Sequence, residues 1–150
     1  MPQSLANIYI HLIFSTKQRA PFLTEDIRPD LHAYMAKILA NLKSPAVLIN
    51  SENDHFHILF NMGRTVSLAQ VVEDVKKSSS KWIKTQSPKF ETFAWQAGYG
   101  AFSVSHSNVP TVSTYIRDQK EHHRTKSFQE EFLAFLRKHN IVYDERYVWD

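Results

Sequence analysis

The chain has 150 residues, no cysteine, 43% hydrophobic residues and a formal net charge of +3. That is enough for a single domain over residues 1–150, and it excludes disulfides, thiol catalysis and cysteine-type zinc sites. No apolar run approaches the ~18 residues of a membrane span and no charged-then-apolar leader is found, which predicts a cytoplasmic protein without a membrane partner.

Residues 5–15 are rich in β-branched and aromatic side chains and predict a first strand, followed by a basic turn over 17–21. Thr24 is a candidate N-cap for a helix running to about Leu42, with Leu31, Tyr34, Met35, Ile38 and Leu42 at helical spacing. Pro45 ends that segment. Two strands are predicted over 46–50 and 55–62, joined by a polar turn over 51–54. Ser67 caps a second helix, 68–85, whose apolar side carries Val71, Val72, Val75 and Trp82. Residues 93–95 and 99–105 read as strand around Gly98 and Gly100. A third long helix is predicted over 109–123, opened by Ser107, Asn108 and Pro110, and a fourth over 128–139. An aromatic and charged tail follows. Strand, helix, strand, strand, helix, strand is the ferredoxin-like βαββαβ order, an α+β antiparallel sheet with helices on one face and further helices at the C-terminus.

Within the third strand stands His55-Phe56-His57. Side chains alternate on a strand, so both imidazoles point one way, about 7 Å apart along the chain, and can grip one divalent ion. On the third helix Tyr115 and Gln119 are i and i+4 and share a face. Tyr115 offers a phenolic nucleophile and Gln119 a neutral carbonyl oxygen acceptable to a hard cation. Taken singly, each of these residues is more often structural than chemical. His123 falls four residues after Gln119 on the same face, although a plain helix-end histidine is the simpler reading there.

In combination and in this order, these motifs resemble the single-tyrosine HUH transposases, the small enzymes of insertion sequences that move as single-stranded DNA. The His-hydrophobic-His pattern at 55–57, the Tyr115–Gln119 spacing, the strand over 8–17 and the segment over 95–100 carry the resemblance, which covers essentially the whole chain. The C-terminal tail is similar to a subgroup of stand-alone transposase-like proteins. The resemblance implies that His55, His57 and Gln119 hold Mg²⁺ or Mn²⁺, and that Tyr115 attacks a scissile phosphate to form a 5′-phosphotyrosyl bond. It also implies single-stranded DNA with hairpins as partner, and a homodimer in which one subunit's tyrosine helix can complete the other's site.

Net positive charge is a weak signal for nucleic acid by itself. Lys77, Lys81 and Lys84 nevertheless form one stripe of the second helix, and Lys17 and Arg19 a second patch after the first strand; both are candidate phosphate contacts. A domesticated or non-catalytic hairpin-binding protein of the same fold is the alternative.

Overall fold

A computed structural model describes residues 2–123 and 125–150. Four strands, β1 (Tyr9–Ser15), β2 (Ala46–Ser51), β3 (His55–Asn61) and β4 (Gly100–Val104), form one sheet in the order β2-β3-β1-β4. Every neighbouring pair is antiparallel. Helices α1 (Arg28–Asn41) and α2 (Leu68–Lys84) are inserted as the split βαβ pattern requires, so the expected ferredoxin-like α+β fold is the observed one.

The strict alternation of β1 and β3 sorts two cores. Leu12, Phe14, Phe56, Ile58 and Phe60 point towards α1 and α2 and pack on Leu31, Met35, Leu39, Val71, Val72 and Val75. All are nearly fully buried, and each such side chain contributes about 1.5–3 kcal/mol of hydrophobic stabilisation. The opposite face is covered by α5 (Phe128–Lys138), where Ile13 and Phe102 meet Phe128, Phe132 and Leu136. Gly100 permits that approach: a Cβ there would lie 2.8 Å from the Phe132 ring.

The structure differs from the sequence expectations in four places. Strand pairing begins at Tyr9: Ile8 still accepts from the Met62 N–H at 2.8 Å, but its own N–H donates to the Asn61 side chain, and Leu5 stays exposed. Helix α1 begins at Arg28, not after Thr24; the Thr24 hydroxyl donates to the Asp26 carboxylate, and Ile27 occupies the cap without a side-chain bond. Phe93 and Trp95 are core residues on irregular chain, with a single bridge between Trp95 and Thr16. The helix expected over 109–123 is interrupted at Asp118 (φ −93°, ψ 23°), giving α3 (Val109–Arg117) and the short α4 (Gln119–His122). Ser67, by contrast, accepts from the Gln70 N–H as the cap of α2.

Candidate active site

On β3 the residues out of phase with the main core are His55, His57 and Leu59, so both imidazoles lie on the α5 side of the sheet. The neighbouring strand places Ile13 opposite His57 and His11 opposite Leu59. His11 Nε2 and His57 Nδ1 are 2.8 Å apart. Helix α3 is held beside this face by Asn50 of β2, whose amide donates to the Ile116 carbonyl at 2.8 Å. That contact sets Tyr115 over the histidines, its ring centroid 6.0 Å from that of His57.

The centre of the arrangement is Glu131 of α5, 2% exposed. Its Oε1 lies 2.9 Å from His57 Nε2, 3.5 Å from His123 Nε2 and 3.7 Å from His55 Nε2. The Tyr115 hydroxyl donates to its other oxygen. Donor atoms of His55, His57, His123 and Glu131 all lie within 4.8 Å of one another. Gln119 is fully buried at the border of this set, its Oε1 3.0 Å from His123 Nε2.

The electrostatics follow from burial and this shared carboxylate. Burial works to raise the Glu131 carboxyl, but hydrogen bonds from His123, His57 and Tyr115 outweigh it and hold the group well below the carboxylate range. Burial and the adjacent Glu131 charge push the Tyr115 phenol up. His57 is lowered by burial, which its contact with Glu131 only partly offsets. His123 is raised: burial opposes its charge, and the Glu131 carboxylate more than compensates. His11 is lowered strongly by burial and by His57.

The donor set fits a divalent ion. His55 Nδ1 is 2.7 Å from the Asp54 carboxylate, which orients the ring and directs Nε2 inward. That Nε2 is buried with no hydrogen-bond partner. An orphaned imidazole nitrogen aimed at a buried carboxylate and two further imidazoles is costly for the fold alone and natural for a metal site.

His55, His57, Tyr115 and Gln119 are therefore brought together. Glu131 escaped the sequence reading, yet a signal existed: Phe128, Phe132, Phe135 and Leu136 form the apolar stripe of α5, and Glu131 is a charge within it. Lys17 is exposed on the turn after β1, at the end of the sheet where Ser15 pairs with His55. Arg19 on the same turn lies over the Trp149 ring at 5.8 Å. Lys77, Lys81 and Lys84 are exposed on α2, behind the other face of the sheet. Lys76 is structural, donating to the carbonyls of Gln96 at 2.8 Å and Gly98 at 2.7 Å. Among the described residues no helix is long and apolar enough to cross a membrane.

The family model described as "Transposase IS200 like" matches residues 4–119. Two solved structures share the fold at a TM-score of 0.62 each. One is a candidate transposase from Deinococcus radiodurans R1, 20% identical over 79% of this chain and 98% of its own. The other is a REP-associated tyrosine transposase bound to a REP hairpin, 10% identical over 82% of this chain and 72% of its own. No curated protein sequence gives a match.

Proposed function

The chain belongs to the IS200-like transposase family, and on that premise we propose that it cuts and rejoins single-stranded DNA through Tyr115 with the help of a divalent ion. The observation that carries this reading is the convergence of His55, His57, His123 and Tyr115 on the buried Glu131 carboxylate.

His55, His57, Glu131 and His123 would hold the ion, with Gln119 bordering the set as a further oxygen donor. Three imidazoles beside one carboxylate suit Mn²⁺ better than Mg²⁺, which prefers oxygen. When bound, the ion supplies charge to polarise the scissile phosphate and offset the charge of the transition state. With its proton moved from Nε2, where Glu131 accepts it in this structure, to Nδ1, where neutral His11 accepts it, His57 can present a bare Nε2. Asp54 does the same for His55.

Tyr115 attacks phosphorus in line. The Tyr115 O–P bond forms, the P–O3′ bond breaks, the phenolic proton leaves, and the departing 3′-oxygen gains a proton. Phosphoester energy is kept in the 5′-phosphotyrosyl bond, so a different 3′-OH can reverse the step without ATP. In the resting arrangement Glu131 accepts from the Tyr115 hydroxyl, which fixes the nucleophile's position beside the imidazoles.

The proposed partners are single-stranded DNA with hairpins and a second copy of the chain. Lys17 and Arg19 would contact phosphates near the site, and Lys77, Lys81 and Lys84 a more distant stretch. The REP-hairpin-bound structure of the same fold supports hairpin binding, while the homodimer rests on the family resemblance and is tested by light scattering.

The chemical test is incubation with single-stranded oligonucleotides and Mn²⁺. Wild type is expected to yield a covalent adduct resistant to denaturation, and Tyr115→Phe to bind DNA without one. Adducts that persist in Tyr115→Phe, or hairpin binding without any adduct in wild type, overturn the proposal; the latter leaves a binding protein.

A further inference from the structure

A cavity of about 260 Å³ opens beside Tyr115, between α3 and α5. Val112, Ala134 and Phe135 give it apolar walls, and His11 closes it towards the sheet. Phe135 stands edge-on to both Tyr115 and His11, with ring centroids 5.4 and 5.1 Å away. Lys126 and Lys138 border the cavity and are exposed, and among the described residues neither forms an ion pair. Glu131 lies at the inner end, where its oxygens are taken by His57 and Tyr115.

We propose that this cavity holds one unpaired nucleobase, that of the nucleotide immediately 3′ of the scissile phosphate. The proposal rests on the strand-cleavage reading and adds to it which nucleotide the protein grips. Three arguments lead there. The volume sits just under the ~300 Å³ lower end of ordinary ligand sites, which suits one flat ring rather than two nucleotides. Apolar walls with an aromatic side chain take a base face, and two unpaired lysines at the border take the adjoining phosphates. The chemistry then chooses the side. In-line displacement requires the departing 3′-oxygen to leave opposite the tyrosine oxygen. A cavity adjoining that attacking oxygen therefore lies on the side away from the departing O3′. It can hold the nucleotide that stays bonded to Tyr115 through its 5′-phosphate.

The first experiment presents a fully randomised single-stranded oligonucleotide with Mn²⁺, traps the covalent adducts and sequences the strands bonded to Tyr115. Wild type is expected to enrich one base class at the first attached position by about fivefold or more, a preference set by the size of the cavity, since stacking itself accepts every base. Ala134→Leu, which fills the cavity, is expected to erase that enrichment. Lys138→Glu, an exposed change that leaves the core alone, is expected to cut adduct yield while retaining the base preference. A uniform first position in wild type, or an enrichment that survives Ala134→Leu, overturns the proposal.

The second measurement needs no cleavage. Thymidine 5′-monophosphate and thymidine 3′-monophosphate are titrated into metal-free protein, and the Val112 and Ala134 methyl resonances are followed by NMR. The 5′-nucleotide is expected to shift them and the 3′-nucleotide to do so far less. Equal responses, or none, count against the cavity as a 5′-nucleotide site. Absence of adducts together with a selective 5′-nucleotide response sinks the cleavage reading and keeps the nucleotide site.

Discussion

The Glu131 carboxylate faces three imidazoles and one phenol and is almost fully buried, so its role is open to a direct measurement. Free Mn²⁺ at a hundredfold excess over its dissociation constant would add ~2.7 kcal/mol to folding stability, a rise in Tm of about 5–10 °C for a chain of this size. Glu131→Gln keeps the shape and removes the charge. It is expected to weaken Mn²⁺ binding by calorimetry more than about tenfold and to abolish most of the thermal shift. An undiminished shift would remove Glu131 from the ligand set. Away from the site, His32 is hydrogen-bonded to the Ser51 hydroxyl at 2.7 Å and packs against Phe56. Burial and then the Arg28 charge bring its pKa down from 6.5 to about 4. Across that window the unfolded chain takes up a proton that the folded chain resists. Stability is therefore lost as pH falls from 6.5 to about 4, and levels off below. Urea titrations are expected to show a shallower acid slope for His32→Gln than for wild type; identical slopes would remove His32 as the source.

At the level of elements, α5 holds Glu131 in place and covers the second face of the sheet. Its start is a capping box: the Ser127 hydroxyl accepts from the Glu130 N–H at 3.1 Å, and the Glu130 side chain accepts from the Ser127 N–H. Ser127→Ala is expected to lower stability by about 1 kcal/mol in chemical denaturation and to weaken Mn²⁺ binding with it, since the same helix end presents Glu131. Stability loss with unchanged metal affinity would separate the two. The start of α2 was legible in sequence because Ser67 is a local cap, and α5 carries the same device at Ser127. The segment over 93–95 was not. Phe93 and Trp95 have strand-like composition, but they are spent on the core, with the Trp95 indole donating to Ser79 at 3.0 Å. The following residues are fixed by Lys76 from α2, a contact that no local pattern announces. The break at Asp118 was likewise invisible, because 109–123 reads as one continuous helix. Of the site, the His pair and Tyr115 were readable from strand alternation and helix spacing. Glu131 required knowing that α5 lies across the His face.

For the whole molecule, the sheet separates two regions proposed to meet DNA. The His, Tyr and Glu groups lie on the α5 side, whereas Lys77, Lys81 and Lys84 project from α2 behind the opposite face. A strand serving both must pass around the sheet, and the exposed Lys17 at the His55 end of the sheet stands on such a path. Changing Lys77 and Lys81 together to Ala is expected to weaken single-strand binding and reduce the slope of log K against log salt by ~1.4, about 0.7 per lost phosphate contact. Adduct chemistry on a short strand confined to the site is expected to be little affected. An unchanged slope would turn α2 into an ordinary solvated surface. The placement of Glu131 between Phe128 and Phe132 reaches further, into how such a gene can decay. The family match ends at residue 119, yet the helix beyond it shields Ile13 and Phe102. A copy that loses its activity but must still fold cannot shed that helix. Inactivation is therefore expected to be recorded first at Tyr115 and His123, which belong to neither hydrophobic core, and last in the aromatic frame around Glu131.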